Sequence, residues 1–151
     1  MAKVSQGLRP GLVPTPAVMV SCVDEGGRPN IVTLAWAGVA CSDPPMLGIA
    51  IRPSRHSYGI ISRSGEFVVN IPSVDQVKAT DICGSRSGRD VDKFAEAKLT
   101  PEPASKVKAP LIAECPINLE CILRHKLALG SHDLFIGEVV AVHVNAECVD
   151  A

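Results

Sequence analysis

The sequence contains few aromatic residues, which make up 3% of its 151 residues. Apolar residues still reach 46%, so the core must be built mainly from valine, isoleucine, leucine and alanine. Where such a mixture is rich in β-branched residues it favours strands, because these side chains pack well on a pleated surface. We therefore expect one mainly β domain over residues 1–151, with enough apolar material for a sizeable core.

A strong charge of either sign is also lacking, since the formal net charge is −1 at pH 7. Proteins that bind nucleic acids or acidic membranes need a basic face, so we exclude both classes of partner. The sequence shows neither a signal peptide nor an apolar run long enough to span a membrane. These absences predict a cytoplasmic protein.

The six cysteines form no pattern typical of a disulfide framework or a metal site. No C-x-x-C pair occurs, and the spacing between Cys115 and Cys121 is too wide for one. Structural zinc sites commonly use such pairs, so we predict no bound metal. Reduced thiols are expected, in keeping with a cytoplasmic location.

The chain begins with an irregular arm, because three prolines interrupt residues 1–16. Residues 17–23 then predict a buried strand, and the glycine-containing segment 24–29 predicts a turn. The chain returns as a second strand that opens at Asn30, so the first two strands should form a hairpin.

The second strand is the apolar run 31–40, and another apolar run, 46–51, follows it after the sequence Cys-Ser-Asp-Pro-Pro. This pattern predicts a strand, a turn and a strand. Beyond them the pattern predicts three short helices and four more strands. The helices are expected at 58–64, 76–83 and 93–96, and the strands at 66–71, 111–114, 117–126 and 133–145. Ser57 and Ser73 are candidate helix N-caps, and Gly65 is a candidate helix stop.

About six longer strands with few helices favour a small closed barrel, because closure removes the exposed edges of an open sheet. Polar and apolar residues alternate between 117 and 125. One face of that strand should therefore belong to the core.

The segment Arg52-Pro53-Ser54-Arg55-His56-Ser57-Tyr58 ends the strand predicted at 46–51. It gathers two guanidinium groups, an imidazole and three hydroxyl groups. A phosphate monoester binds forked arginine donors, hydroxyls and free backbone N–H groups, so this segment predicts a phosphate site. A helix starting here would add its positive end. The alternative is a solvated loop with ordinary surface charge.

Several short motifs follow one another along most of the chain. They are N-x-x-T-x-A-W from Asn30, S-D-P-P from Ser42, R-P-S-R-H-S from Arg52, S-G-E-F-V-V-N-I-P from Ser64, S-G-R-D-V-D-K-F from Ser87 and S-H-D-L-F-I-G-E-V from Ser131. Together they resemble the flavin reductase-like, FMN-binding split-barrel family. Because Cys83 precedes the Ser-Gly-Arg segment, the chain is most similar to the flavoredoxin and ferric-reductase branch.

The resemblance implies a six-stranded antiparallel Greek-key split β-barrel that binds FMN in preference to FAD. It also implies that the flavin ring lies against residues 33–38, with main-chain N–H groups near residues 37–42 reaching its polar edge. The residues assigned to the cofactor by the resemblance and the phosphate pattern are Asn30, Thr33, Ala35, Trp36, Ala37, Cys41, Ser42, Arg52, Ser54, His56, Ser57, Tyr58, Cys83, Lys93 and Phe94. The alternative for Thr33, Ala35 and Trp36 is that they are ordinary alternating strand positions.

Four positions carry specific expectations from the same resemblance. Lys93 is a further phosphate candidate, against the alternative of a solvent-exposed helical lysine, and Phe94 is expected to cover the ring. Cys83 lies near the flavin in such relatives, but a cysteine before a glycine is more often a small buried residue at a helix end. His132 is expected near the nicotinamide pocket, although serine stands where glycine and aspartate precede this histidine in the family.

Two functions fit these features. The first is a homodimeric oxidoreductase that takes hydride from NADH or NADPH and passes electrons to a flavin, a ferric complex or a protein such as a monooxygenase. The second is an FMN-binding electron carrier, similar to flavoredoxin, without its own nicotinamide site. A third reading is a barrel that has lost its flavin site. The missing Gly-rich Rossmann turn fits the first two, because this family holds its nicotinamide without one. His125 and His143 receive no role and no expected partner.

Overall fold

The structure is a computed structural model that describes residues 1–5 and 7–149. The described residues before Val18 form neither helix nor strand, as expected for the arm. The strands are β1 (Val18–Val23), β2 (Pro29–Leu34), β3 (Ala37–Ser42), β4 (Pro45–Ile51), β5 (Glu66–Ile71), β6 (Pro101–Glu102), β7 (Leu111–Ile112), β8 (Ile117–Ala128) and β9 (Asp133–Val144). The α-helices are α1 (His56–Ser64), α2 (Val77–Ser85) and α3 (Lys93–Ala97), with short 3₁₀ turns at Val74–Gln76 and Ala146–Cys148.

Seven strands form one antiparallel sheet in the order β2-β1-β5-β8-β9-β4-β3, while β6 and β7 form a separate pair. The two edge strands, β2 and β3, are consecutive in the chain and are joined only by Ala35 and Trp36. A link this short reaches at most roughly 11 Å. The sheet must therefore curl until its edges meet at this link, where the Ala50 N–H also donates to the Trp36 carbonyl over 2.9 Å.

The main core fills the inside of this curl. It combines Val32 from one edge strand with Ile49 and Ile51 from β4, next to the other edge. Phe67 and Phe135 are its largest buried aromatic side chains. Helix α1 adds Ile60 and Ile61 and ends at Gly65, which adopts the left-handed conformation (φ 68°) that favours glycine after a helix.

Two smaller clusters bury the outer face of the sheet. Helices α2 and α3 cover Met19 and Ile31 with Ala79, Cys83 and Phe94. The segment before β7 covers Val68 with its own apolar side chains. Among the described residues, no helix is long and apolar enough to cross a membrane.

The mainly β class with short helices is confirmed, but the count of six strands is wrong. The run 31–40 is two strands, because the chain leaves the ladder at Ala35 and Trp36 to pass from one edge of the sheet to the other. Alternating small and apolar residues did not reveal this break. The break matters for function, because it exposes Trp36 at the meeting point of the two edges.

Strand β8 is buried on both faces near its start. Asn118 and Glu120, on the polar face, are buried because residues 103–109 pack over them. The Glu120 carboxylate accepts backbone N–H groups from Ser105, Lys106 and Val107 at 2.6–3.1 Å. The expectation that His143 lacks a partner is wrong, since its Nε2 lies 2.6 Å from Glu120 Oε1.

Candidate functional site

A strongly basic cavity of about 170 Å³ opens at the N-terminus of α1. Four of its lining residues carry cationic side chains, and three carry hydroxyl groups. The lining consists of Val32, Ser54, Arg55, His56, Ser57, Gly84, Arg86, Ser87, Gly88, Arg89 and Lys93. We call it the basic cavity, and its chemistry suits an anion with several acceptor oxygens.

The N-terminus of α1 contributes its own positive end to this cavity. Arg55 is the N-cap residue of α1, and its backbone is extended. Its side chain makes no capping hydrogen bond, and no acidic residue occupies the first turn. The first backbone N–H groups of a helix have no partner within the helix, so they attract an anion. The expectation that Ser57 caps this helix is wrong: Ser57 lies inside the first turn, and its hydroxyl accepts a 2.6 Å hydrogen bond from Asn30 Nδ2.

The loop of residues 86–92 closes the basic cavity from the other side. Gly88 is buried against Asn30 and His56, and a Cβ at this position would come within 2.9 Å of the His56 ring and overlap the Asn30 side chain. Arg89 donates to the Ser54 carbonyl over 3.2 Å, and Arg28 donates to the Gly88 carbonyl over 3.3 Å. Glycine at 88 is therefore required for this close approach of the loop.

Lys93 is buried in the wall of the basic cavity, where only 5% of it is exposed. Its ammonium donates to the carbonyl oxygens of Ile31 and Cys83, each over 2.7 Å. The alternative of a solvent-exposed helical lysine is wrong. Burial lowers the pKa of Lys93. An ammonium carries three N–H donors, so the third remains for a group in the cavity that Lys93 lines.

The pKa of His56 reflects the same cationic surroundings. Partial burial lowers the pKa of His56, and the nearby charges of Arg89 and Arg28 lower it further. The positive charges of Arg89 and Arg28 disfavour protonation of His56, and a bound anion would offset these charges. The basic cavity is therefore electrostatically prepared for a negative ligand.

A second cavity of about 170 Å³ adjoins the first and shares Val32 and Arg55 with it. We call it the aromatic cavity. Its lining is Val32, Thr33, Leu34, Ala35, Trp36, Ala50, Arg52, Arg55 and His132. The rings of Trp36 and His132 lie 4.3 Å apart between centroids and are inclined by 44°.

The position of His132 favours the neutral form of its imidazole. Desolvation lowers the pKa of His132, and the charges of Arg52 and Arg55 lower it further. Its ring is held by a 2.9 Å hydrogen bond between Nδ1 and the Ser131 hydroxyl. A neutral imidazole beside an indole can hold a flat apolar group and still offer one polar atom.

The structure brings most of the predicted residues to these two cavities. Ser54, His56, Ser57 and Lys93 line the basic cavity. Thr33, Ala35, Trp36, Arg52 and His132 line the aromatic cavity. Asn30 lies behind the basic cavity, where its side-chain amide donates to the Ser57 hydroxyl. Arg52 is therefore displaced from the predicted phosphate cluster, because the chain turns after it and directs the next residues toward α1.

Other predicted residues lie elsewhere. Cys41 and Ser42 end β3 at its far end, and the Cys41 thiol lies 3.4 Å from the Asp43 carbonyl. Tyr58 donates a 2.6 Å hydrogen bond to Asp133 Oδ2 and packs edge-on against Phe135, so it faces away from the basic cavity.

Phe94 and Cys83 face the core beneath α2 and α3, which removes both as ring contacts. Phe94 is 4% exposed, so its ring has no free surface to offer a cofactor, and the expectation that it covers the ring is wrong. Cys83 is buried in the same cluster, and burial raises the pKa of its thiol to about 11. The backbone carbonyl of Cys83, which holds Lys93, is its contribution to the site.

Three arginines of the basic cavity received no individual role from the sequence: Arg55, Arg86 and Arg89. Arg89 belongs to the Ser-Gly-Arg motif, which was a signal of the family without an assigned contact. Ala37, another predicted cofactor residue, lines neither the basic nor the aromatic cavity. It lines a third cavity next to Trp36.

The protein is thus a curled antiparallel sheet that carries the basic cavity next to the aromatic cavity. The comparison with known families agrees: residues 10–151 match the flavin reductase like domain. The chain belongs to this flavin reductase-like, FMN-binding family.

Three relatives illustrate the similarity. Flavoredoxin of Desulfovibrio vulgaris (Miyazaki F) is 38% identical, with a TM-score of 0.92 over 99% of this chain and 80% of that chain. An FMN-binding protein from Thermus thermophilus, solved with bound 1-cyclohex-2-enone, is 27% identical, with a TM-score of 0.86 over 99% of this chain and 85% of that chain. An uncharacterized protein of Archaeoglobus fulgidus is 37% identical over 115 residues, which are 76% of this chain and 65% of that relative.

Proposed function

We propose that this protein is an FMN-binding oxidoreductase that accepts hydride from NADH or NADPH and passes electrons to a flavin, a ferric complex or a protein acceptor. The observation that carries this proposal is the junction of the basic and aromatic cavities at Val32 and Arg55. FMN has the same division, with a dianionic phosphate at one end and a flat, mostly apolar ring at the other.

The phosphate would bind in the basic cavity. Arg55, Arg86 and Arg89 supply guanidinium donors there, and the N-terminus of α1 supplies backbone N–H groups. Ser54 and Ser87 add hydroxyl groups. Because the loop 86–92 closes this cavity, a terminal phosphate fits it better than the diphosphate of FAD, which must continue to an adenosine.

The ring would lie in the aromatic cavity, against the link between β2 and β3. Ala35 and Ala50 permit close backbone approach because they carry only a methyl group. Trp36 and His132 supply flat surfaces, and Arg52 supplies a positive charge for the polar edge of the ring. The bound flavin supplies the redox chemistry, while these residues orient it and exclude water.

His132 is the residue that we propose for positioning the nicotinamide. It lines the aromatic cavity beside Trp36, and its lowered pKa favours the neutral imidazole, which does not repel the positive ring that results from hydride loss. This role rests on orientation, since hydride transfer to a flavin needs no covalent bond to the protein.

The electron-carrier function is the second candidate, and the 38% identity with a flavoredoxin favours it. The test is anaerobic mixing of the FMN-loaded protein with NADH or NADPH in a stopped-flow instrument. Bleaching of the visible flavin band by either nicotinamide within seconds supports the oxidoreductase. Flavin that only a chemical reductant bleaches would favour the carrier.

Partners and location complete the proposal. The chain spans 65% of the length of the Archaeoglobus relative, so its activity and partners are stated as proposals. We propose a homodimer in the cytoplasm, which passes its electrons to a small molecule or to a redox protein such as a monooxygenase. Light scattering of the purified protein at micromolar concentration tests the dimer, and a monomer that retains FMN would contradict it.

A further inference from the structure

The imidazole of His56 lines the basic cavity and has no role in the function proposed so far. Neither of its ring nitrogens makes a hydrogen bond within the described part of the chain. The ring is held in place by the loop 86–92, because a Cβ at Gly88 would come within 2.9 Å of His56 Cδ2. A fixed ring with both nitrogens free is therefore available to a ligand in this cavity.

The charges around this ring are mostly positive. His56 is the first residue of α1, so it lies at the positive end of that helix, where a cation is disfavoured. The Glu96 carboxylate pairs with Arg86 over 3.2 Å and offsets part of its charge. Burial, followed by the charges of Arg89 and Arg28, lowers the pKa of His56. The charged groups that act on the ring or line the same cavity are Asp24, Arg28, Arg55, Arg86, Arg89 and Lys93, of which Asp24 alone is acidic.

An anion in the basic cavity reverses this effect. The cavity measures about 170 Å³, so an anion that fills it lies close to the side chains that line it. An opposite charge at short range favours the charged form of a titratable group. A protonated imidazole also offers two N–H donors, whereas the neutral ring offers one. One proton therefore adds both a charge and a donor to the contact between His56 and the anion.

We propose that His56 binds the anion in the basic cavity as an imidazolium, and that it takes up its proton from solvent only when the anion enters. Anion binding and proton uptake are then a single coupled event, so the affinity for the anion rises as the pH falls. The extension to the phosphate of FMN rests on the proposed function. The coupling itself applies to any dianion that this cavity binds.

The pH range follows from the two pKa values of His56. In the free protein the pKa lies below the usual 6.5, and in the complex it lies above the free value. Between these two pKa values the free ring is neutral and the bound ring is charged, so anion binding takes up a proton there. Above this range the ring is neutral in both states, and its contribution to the pH dependence ends.

The test is an NMR pH titration of the histidine rings in the flavin-free protein, in sodium sulfate and in sodium chloride of equal ionic strength. Sulfate is the probe because it keeps both of its charges throughout, whereas a phosphate monoester gains its second charge at about pH 6. The chain has four histidines, so the variant His56→Asn assigns the signal of His56. We expect sulfate to raise the pKa of His56 and to leave that of the exposed His125 unchanged.

The variant His56→Asn also tests the affinity. Asparagine is polar and smaller than imidazole, and it cannot be protonated. We expect the wild type to bind sulfate roughly tenfold more tightly at about pH 5.5 than at about pH 8. The variant should match the wild type in the basic buffer and lose most of the gain in acid, a difference that a purely structural role would not produce. His125→Asn is the matched control and should keep the full pH dependence.

Three results would overturn the inference. One is a pKa of His56 that is the same in sulfate and chloride, and another is a wild-type pH dependence of sulfate binding in His56→Asn. The third is a shift that His125 shares equally, since it would show a general effect of the salt.

Titration of the same protein with FMN and riboflavin separates this inference from the proposed function. Equal affinity for the two flavins with an intact sulfate result would contradict the proposed FMN site alone. Preferential binding of FMN with an unmoved pKa of His56 would contradict the inference alone.

Discussion

The side-chain amide of Asn30 donates a 2.6 Å hydrogen bond to the hydroxyl of Ser57. Both side chains are buried, at 4% and 2% exposure, and the bond ties the start of β2 to the first turn of α1. Gly88 packs against the same amide from the opposite side. Three segments that are distant in sequence therefore meet behind the basic cavity, which fixes the positions of its cationic groups before any ligand arrives.

Arg55→Ala should weaken FMN binding more than riboflavin binding. Arg55 is the cap residue of α1 and lines both cavities, so its loss removes a charge-assisted contact to phosphate. We expect an effect of about 1.5 to 3 kcal/mol, or roughly tenfold to hundredfold. Fluorescence titration of each variant with both ligands measures it.

Two other arginines sharpen this prediction. Arg63→Ala is the control, because Arg63 lies on the same helix but is 61% exposed and away from the cavity. Arg52→Ala should weaken FMN and riboflavin equally, since Arg52 lines only the aromatic cavity of the two. An Arg55→Ala variant that weakens riboflavin binding as much as FMN binding would argue against a separate phosphate contact.

Lys93→Met should destabilise the fold even without a ligand. The substitution keeps the length of the side chain but leaves the carbonyl oxygens of Ile31 and Cys83 without their 2.7 Å donor. Leaving buried acceptors unpaired costs about 2 kcal/mol of unfolding free energy. Urea unfolding of the apoprotein measures the loss, with exposed Lys78→Met on α2 as the control. Equal stability of the two variants would mean that Lys93 does not support the fold.

Glu120 should make the stability of the fold fall in acid. Burial alone would raise its pKa, but hydrogen bonds from Ser105, His143 and Lys106 together lower it from 4.5 to about 2. A carboxyl group with a depressed folded pKa stabilises the protein fully above its unfolded pKa, and this stability is lost as the pH falls from about 4.5 toward 2. At neutral pH a shift of this size corresponds to roughly 3 kcal/mol.

The measurement is the unfolding free energy of wild type and Glu120→Gln between about pH 7 and pH 3. The wild type should lose stability through this window, and the variant should be less stable at neutral pH and respond less to acid. Glu25→Gln, whose side chain is 84% exposed, is the control. Parallel pH curves for wild type and Glu120→Gln would show that the carboxylate does not hold residues 105–107 in place.

His132→Ala should slow reduction of bound FMN by nicotinamide about tenfold, or 1.4 kcal/mol, while FMN affinity stays nearly constant. His132 lies against Trp36 in the aromatic cavity and does not line the basic cavity. Stopped-flow bleaching of the flavin band measures this step without a final acceptor. An unchanged rate would remove His132 from the nicotinamide site.

The local parts of the site could be predicted from the sequence, and the parts assembled by the fold could not. Ser54, His56 and Ser57 are contiguous, so a single turn brings them together. Arg89 reaches the Ser54 carbonyl across 35 residues, and no periodicity in one sequence indicates which loops will meet. The same reason explains Phe94, whose orientation depends on packing between α3 and the outer face of the sheet.

The fold class followed from the sequence for a similar reason. The short apolar runs at 17–23 and 66–71 and the alternation within 133–145 each indicated a strand, and all three strands are present. The resemblance to the flavin reductase-like family is confirmed as well. The break at Ala35 and Trp36 depends on where the two edges of the sheet meet. The place where these edges meet is a property of the whole sheet, and the residues at the break have a sequence typical of an ordinary strand.

The central claim is that the basic cavity binds the phosphate of FMN, and the most direct test is a titration of the flavin-free protein with FMN and riboflavin. The two ligands share the ring and differ in the phosphate, so the ratio of their dissociation constants isolates the basic cavity. We predict that FMN binds at least tenfold more tightly, and that raising the salt concentration reduces this ratio. Equal affinity for FMN and riboflavin would contradict the account.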